Sequence, residues 1–426
     1  MFPFSGDSSR LPKAIYWSKI LGQFASVQLM VQAVGLVSGI LLVRSLSKTD
    51  YAYFTLANTM QATMSLLADV GISSGLSAIG GRVWHDRFRF GQLINTALHL
   101  RRSLLVFSML VISPILLWML LSNGASVGYA GIITAVVLIG LTFQVTSGVL
   151  AVIPRLHLQI RRVQKLDMVS ASVRLGLLFV TYLILLNAAT AVIAAVITFG
   201  IQYFVLKRWA SQIVDTRAPI NEEDRTALWA IIRKQAPNDI YFCFQGQIMI
   251  WLISIFGSTR NIADIGALGR LAVIFTIINS TMTSVILPRF ARCLSPQLLK
   301  TRYLQIVGCF ILFGPGLVLV AVLFPTQLLY ILGPKYMHLK SEVVLIVLSS
   351  VIGSINGAMW SCNYSKGWIP SGWILIPIGL ATQIAMLFIF DISTVRGVLL
   401  MSIFPIFAGI AVNAWVAIHE LRRFHA

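Results

Sequence analysis

The chain has 426 residues, of which 57% are hydrophobic and only 11% are charged. Because soluble domains carry roughly 25% charged residues, this composition excludes an ordinary soluble protein and favours one whose surface faces lipid. The formal net charge of +19 comes from short basic clusters between long apolar runs. That pattern is typical of membrane topology signals rather than of a nucleic-acid-binding surface, so the predicted surroundings are the lipid bilayer and no nucleic acid.

Twelve apolar runs in the chain approach the length of about 20 residues that a helix needs to cross a bilayer. Six precede the longest polar segment, Lys207–Ala236, and six follow it. The turn at Asn187, between the fifth and sixth runs, has little to mark it. The predicted spans in chain order are Leu21–Val43, Tyr51–Ile79, Ser103–Leu121, Tyr129–Ile153, Val169–Leu186, Ala188–Leu206, Pro237–Phe256, Ile262–Leu287, Tyr303–Phe324, Ser341–Tyr364, Pro370–Phe390 and Val395–Ile418.

The distribution of Lys and Arg predicts the orientation of these spans. With the N-terminus placed inside, the inner segments hold 25 of these residues and the outer segments hold six. Because basic residues collect in cytoplasmic loops, this bias predicts an even number of spans and both termini in the cytoplasm. The first twenty residues contain no cleavable signal peptide, so we expect the first run to act as an uncleaved signal-anchor.

The polar segment in the middle divides the chain into two related halves. Residues 1–208 form the predicted N-terminal six-helix half, residues 209–236 a cytoplasmic linker, and residues 237–426 the C-terminal six-helix half. Asn221 and the three acids after it predict a helix start, followed by a short amphipathic helix at the inner interface. Paired six-helix units are typical of transporters whose site lies between the halves. The predicted fold class is therefore an all-α integral membrane protein with about twelve transmembrane helices around a central cavity.

The motifs of common enzymes are missing or out of context. Gly71–Gly75 fits the GxSxG pattern, but it lies in a predicted apolar helix and is interpreted as a helix-packing stretch. The sequence has no Walker motif, no HExxH pair and no large outer loop, and its four cysteines form no CxxC pair. The sequence therefore does not favour an enzyme, and it predicts no metal site or other cofactor.

Polar and charged residues within the spans are the candidates for a substrate site, because facing lipid would be costly for them. Arg270 is the strongest, and Arg174 and Asp69 are weaker because Arg174 could reach the interface and Asp69 could be its structural partner. Arg44 could equally anchor the end of the first span. For the neutral residues the alternative is a hydrogen bond between helices. The neutral candidates are Gln28, Gln32, Asn58 and Gln61, with Gln245, Asn279 and Asn356 in the second half.

Four segments carry the order and spacing of one family's motifs. They are Leu42–Phe54, Leu67–Ser73, Ile265–Leu271 with Leu287–Arg289, and Leu332–Tyr336. In this order the chain resembles the polysaccharide flippases (Wzx-type O-antigen translocases) of the multidrug/oligosaccharidyl-lipid/polysaccharide (MOP) exporter superfamily. It departs from them at Ala267–Gly269, where the family usually has an aromatic residue next to the glycine.

The resemblance implies a multi-pass protein of the bacterial inner membrane. Such a protein moves an undecaprenyl-pyrophosphate-linked oligosaccharide from the inner to the outer leaflet by alternating access, for surface polysaccharide or O-antigen synthesis. A polymerase of the same glycan pathway is the partner implied by analogy. One alternative is a cation-coupled small-molecule or drug exporter, which would favour acidic residues in the cavity. The other is a membrane glycosyltransferase or acyltransferase, which as pure protein would act on a lipid-linked sugar without a sealed vesicle.

Overall fold

The computed structural model describes residues 10–157, 159–282, 286–291, 293, 295–368 and 372–423, and every regular element in them is helical. A single 3-10 turn, Pro334–Tyr336, joins two of the helices. The helices in chain order are α1 (Arg10–Ser45), α2 (Lys48–Leu67), α3 (Ile72–Val83), α4 (Arg87–Ser122), α5 (Val127–Leu150), α6 (Val152–Leu156), α7 (Ile160–Ile184), α8 (Ala188–Ile213), α9 (Glu222–Phe256), α10 (Thr259–Thr281), α11 (Leu287–Ala291), α12 (Pro296–Leu323), α13 (Pro325–Leu332), α14 (Lys340–Ser365), α15 (Gly372–Ile389) and α16 (Val395–Arg423).

The helices account for the predicted spans. Within the described residues, ten helices are long and apolar enough to cross a membrane. The pair α2 and α3 passes the same test together, although it is bent by 44°. A shorter apolar helix, Ile374–Ile389, completes the set, while the predicted start of that span at Pro370 lies outside the described residues. The prediction of an all-α membrane protein with about twelve transmembrane helices is confirmed.

The weakly marked turn at Asn187 is present in the structure. α7 ends at Ile184 and α8 begins at Ala188. The Asn187 side chain accepts a hydrogen bond from the Thr190 backbone N–H at 2.9 Å, and the Thr190 hydroxyl accepts one from the Asn187 N–H at 3.0 Å. This reciprocal cap satisfies donors that the start of a helix would otherwise leave unpaired, so two residues suffice to divide a long apolar run.

The second predicted span is broken, contrary to the expectation of one continuous helix. α2 ends at Leu67, and Gly71 adopts a φ of +74° before α3 begins. The Asp69 carboxylate accepts hydrogen bonds from the Ser73 hydroxyl, the shorter at 2.7 Å, and this local bonding competes with the helix. The packing interpretation of this stretch holds at Gly75, where an added Cβ would lie 2.7 Å from Leu228 of α9. At Gly71 the glycine instead supplies a left-handed conformation.

The predicted amphipathic segment is the beginning of a long helix rather than a separate short one. Asn221 caps it as expected, accepting hydrogen bonds from the N–H groups of Glu223 and Asp224 at 2.8 and 3.2 Å. The helix then continues through Pro237 to Phe256. Leu228 and Ile232 of this segment are buried against the first half of the protein, at 0% and 4% exposure. The expectation of a short, separate helix is corrected accordingly.

The apolar packing is distributed unequally between the two ends of the bundle. We call the end at which α3, α8 and α14 finish the basic end, and the other the opposite end. Near the opposite end one hydrophobic cluster contains residues of both halves, such as Tyr51 and Leu268. Toward the basic end one cluster around Ile94 joins the first half to the start of α9, and the second half has another around Tyr303. The apolar contact shared by the two halves therefore lies near the opposite end.

The charge bias predicts that the basic end is cytoplasmic, and two exposed residues test this. Thr216 follows α8 at the basic end, and Lys340 begins α14 at the opposite end. In a background without the four native cysteines, Thr216→Cys should react with an impermeant maleimide only after cells are opened. Lys340→Cys should react in intact cells. If both variants react in intact cells, the predicted orientation is wrong.

Candidate functional site

The first part of the candidate site is a cavity of about 240 Å³ between the two halves, lined by α2, α9, α10 and α14. Asn58 is exposed to it from α2, and Arg270 lines it from α10. The Arg270 Nε donates a hydrogen bond to the Tyr51 hydroxyl at 3.1 Å. Two of the predicted site residues, one from each half, therefore face the same space.

The second part is a cavity of about 260 Å³ between α1, α7 and α8. Arg174, Gln28 and Asp167 line it. The Arg174 Nε and the Ser170 hydroxyl are buried there and have no hydrogen-bond partner among the described residues. Because buried polar groups are normally paired, this wall of the cavity is equipped to receive a polar ligand.

The site carries a cavity-lining arginine from each half. Arg174 of α7 lines the second cavity, and Arg270 of α10 lines the first. Gln32 lines neither cavity, and its Nε2 donates to the Ser280 hydroxyl at 3.2 Å, which links α1 to α10. The arrangement brings together positive charge and neutral amides, a combination that suits an anionic group with polar neighbours.

Three predicted site residues, Gln61, Arg44 and Asp69, lie outside the two cavities. Gln61 is buried in the first half, where its Nε2 donates to the Gln144 Oε1 at 2.9 Å, so it makes the helix–helix bond that was the alternative. Arg44 donates to the carbonyl oxygens of Tyr330 at 2.6 Å and Ile331 at 3.1 Å, and thereby anchors the end of α1 to α13. Neither residue reaches the cavities that Arg174 and Arg270 line.

Asp69 has a different partner from the one expected. Its carboxylate pairs with Arg101 of α4 at 3.2 Å, so the suggested pairing with Arg174 is wrong. Arg101 falls outside the predicted span Ser103–Leu121, but α4 extends from Arg87 and buries this residue at 5% exposure. An added Cβ on Gly148 would lie 3.0 Å from the Arg101 Nη1, so α5 packs directly on the guanidinium. The pair holds the broken span against α4.

The opposite end contains interacting charged residues that the sequence did not single out as candidates. The buried Asp264 carboxylate accepts from the Lys48 Nζ at 2.9 Å and lies 2.9 Å from the His338 Nε2. Lys48 also lies over the Tyr336 ring, 5.2 Å from its centroid, and burial raises the pKa of the Tyr336 hydroxyl, which keeps it neutral. Lys48 and Tyr51 belong to the first half, whereas Asp264, His338 and Gly266 belong to the second. We call these five residues the seal, because their contacts join the two halves at the opposite end.

Each polar candidate of the second half forms a hydrogen bond with another side chain of that half. Gln245 donates to Gln383 at 2.5 Å, Asn279 to Ser354 at 3.2 Å, and Asn413 to Asn356 at 2.9 Å. Gln245 and Asn356 also line a cavity of about 490 Å³ within this half. Among the residues that the structure describes, no three or more His, Cys, Asp or Glu side chains are grouped to hold a metal ion.

The described residues form an all-helical bundle of about twelve spans, with a polar cavity between its two halves. The fold is that of MATE transporters of the MOP superfamily. The inward-facing conformation of a multidrug resistance MATE family transporter superposes with a TM-score of 0.70 at 17% identity, covering 94% of this chain and 100% of that chain. For the outward-facing conformation of a transporter of the same description the TM-score is 0.62 at 16% identity, with 95% and 96% covered.

A third solved structure bears on the character of the cavity. A MOP superfamily transporter from Pyrococcus furiosus superposes with a TM-score of 0.61 at 16% identity, covering 95% of each chain. That protein is described as having a binding pocket of reversed polarity, which suggests a different function. No family model and no curated protein matches this sequence. The structures that share the fold are transporters, and they show the fold rather than the substrate.

Proposed function

We propose that this protein exports a small amphipathic molecule by alternating access. The observation that carries the proposal is the division of the core, with one cluster shared by both halves at the opposite end and separate clusters at the basic end. Because the two halves have separate apolar clusters toward the basic end, one half can rock against the other about the cavity that lies between them. The higher TM-score with an inward-facing MATE structure supports a state closed at the opposite end.

The charge of the cavities indicates which small molecules are favoured. Arg174 and Arg270 line them, and Asp167 is the one acid among the residues that line the cavities of this site. A cationic compound would meet net positive charge, whereas a carboxylate or phosphate would find two guanidinium groups and several amides. The proposed substrate is therefore an anionic or zwitterionic amphiphile.

A lipid-linked oligosaccharide is the second candidate, and the same two arginines favour it. Its pyrophosphate is anionic, and the planar fork of arginine pairs with phosphate oxygens at two points. Gln28, Gln32 and Asn58 would supply hydrogen bonds to sugar hydroxyl groups. This hypothesis follows the sequence resemblance, places the protein in a bacterial inner membrane, and makes a glycan polymerase its pathway partner.

A paired assay separates the two candidates. In a host lacking its own exporters, expression of the chain should lower the accumulation of the anionic dye calcein more than that of cationic ethidium. If the chain instead moves a lipid-linked oligosaccharide, its expression should change the accumulation of neither dye. Deletion of the gene would instead leave lipid-linked units in the inner leaflet and remove the mature surface glycan. If neither dye export nor surface glycan depends on the chain, both assignments fail.

A further inference from the structure

The Tyr51 hydroxyl connects the cavity to the closed end of the bundle. It accepts a hydrogen bond from the Arg270 Nε at 3.1 Å and donates one to the Gly266 carbonyl oxygen at 3.1 Å. The residue is 0% exposed, so water cannot readily replace either partner. One hydroxyl group therefore ties α2 of the first half both to the backbone of α10 and to the arginine that α10 presents to the cavity.

The neighbours of Tyr51 are the other members of the seal. Lys48, one helical turn earlier, pairs with Asp264, which precedes Arg270 on α10 by nearly two turns. On the cavity side, the Arg270 stem packs against α1, because an added Cβ on Gly39 would lie 3.0 Å from the Arg270 Cδ. The guanidinium is thus held between α1 and α2, with its Nε committed to Tyr51.

An anion that enters the cavity competes for this guanidinium. Arg270 currently gives its Nε to a neutral hydroxyl oxygen. A phosphate or carboxylate oxygen is a stronger acceptor, and it engages arginine most favourably through two parallel N–H groups. Pairing of Arg270 with such a group draws the Nε away from Tyr51, which weakens one of the contacts between α2 and α10.

We propose that Tyr51 is a positioning residue that couples anion binding at Arg270 to opening of the seal. Without an anion, the Arg270–Tyr51 bond helps to hold the opposite end shut. With an anion bound, the bond is released and the opposite end opens more readily. The inference rests on the proposed alternating-access function, and it adds the link between the binding residue and the gate.

The test measures opening without a substrate. The reporter is Gly269→Cys in a background without native cysteines, because Gly269 lines the cavity and an added Cβ meets no atom within 4 Å. An impermeant maleimide applied from the side of the opposite end should label this cysteine slowly. Tyr51→Phe keeps the buried ring and removes the hydroxyl, so labelling should accelerate on the order of tenfold, as expected for loss of a hydrogen bond to a charged group.

Two comparisons separate this coupling from general loosening of the structure. Tyr53→Phe removes a hydroxyl on the same helix that donates to the Asn123 carbonyl oxygen at 3.2 Å, and it should leave the labelling rate unchanged. Arg270→Ala should accelerate labelling by itself, and combining it with Tyr51→Phe should give less than the product of the single effects, because both remove one shared bond. Labelling by permeant N-ethylmaleimide should be equal in all variants.

Any of three results overturns the proposal. The first is an unchanged labelling rate in Tyr51→Phe, and the second is equal acceleration in Tyr51→Phe and Tyr53→Phe. The third is independent, multiplicative effects of Tyr51→Phe and Arg270→Ala. Failure of dye export would count against the proposed function alone, because the labelling rates do not depend on any transported compound.

Discussion

Replacing Arg270 by alanine should reduce transport roughly 10- to 100-fold, the effect expected when a charge-assisted bond to the substrate is lost. The residue lies about 16 Å along α10 from Thr259, at 1.5 Å per residue. A charge near mid-bilayer costs at least about 2.5–3.5 kcal/mol. Removing it should therefore not impair insertion, and the measurement is the initial export rate at matched protein levels in the membrane.

Two further variants make this result specific. Arg270→Lys should restore export only in part, because one ammonium replaces the two aligned donors of the guanidinium. Arg260→Ala removes an exposed arginine near the start of the same helix, outside both cavities, and should export at the parental rate. Parental export by Arg270→Ala would show that Arg270 does not contribute to the site, and the cationic-cavity hypothesis would lose its main residue.

Features with a local cause were predictable from the sequence. The spans follow from runs of apolar residues, and the Asn221 cap from a side chain that bonds to backbone N–H groups two and three residues away. The break at Gly71 was missed, although Asp69, Gly71 and Ser73 lie together in the sequence. Hydrophobicity over that region suits one continuous helix, and the local hydrogen bonds that interrupt it carry no apolar signal.

Burial of charge was the less predictable feature. Arg101 falls outside the predicted span Ser103–Leu121, although Phe90, Leu93, Ile94 and Ala97 show the helical spacing that continues α4 toward its start at Arg87. The predicted span covers only the apolar run, whereas the helix projects beyond it. That periodicity would have extended the helix and placed Arg101 inside it.

Long-range pairs had no local signal at all. The partners in Lys48–Asp264 and Tyr51–Gly266 are more than 200 residues apart in the chain, at separations of 216 and 215. Neither helix alone indicates which neighbour it will face. The position of Arg270 in the cavity was predictable from its cost in the membrane, whereas its bond to Tyr51 depends on how the two halves pack.

A disulfide across the seal should stop transport altogether. An added Cβ on Gly266 of α10 would lie 3.2 Å from the Thr55 Cβ of α2, close to the 3.5–4.5 Å usual between the Cβ atoms of a disulfide. The double variant Thr55→Cys with Gly266→Cys, in a background without native cysteines, should therefore cross-link on oxidation. Because the disulfide joins the two halves at the opposite end, that end cannot open. Export should fall to the level of cells without the protein and return after dithiothreitol.

A disulfide within one half provides the matched control. An added Cβ on Gly140 of α5 would lie 3.5 Å from the Val196 Cβ of α8, and both helices belong to the first half. If the halves move as rigid bodies, Gly140→Cys with Val196→Cys should cross-link equally well and continue to export, since no contact inside a half has to change. Full export by the oxidised Thr55–Gly266 pair, with cross-linking verified on a gel, would show that the seal does not open during transport. Loss of export in both pairs would show that motion within the first half is also required, and the two-body description would be wrong.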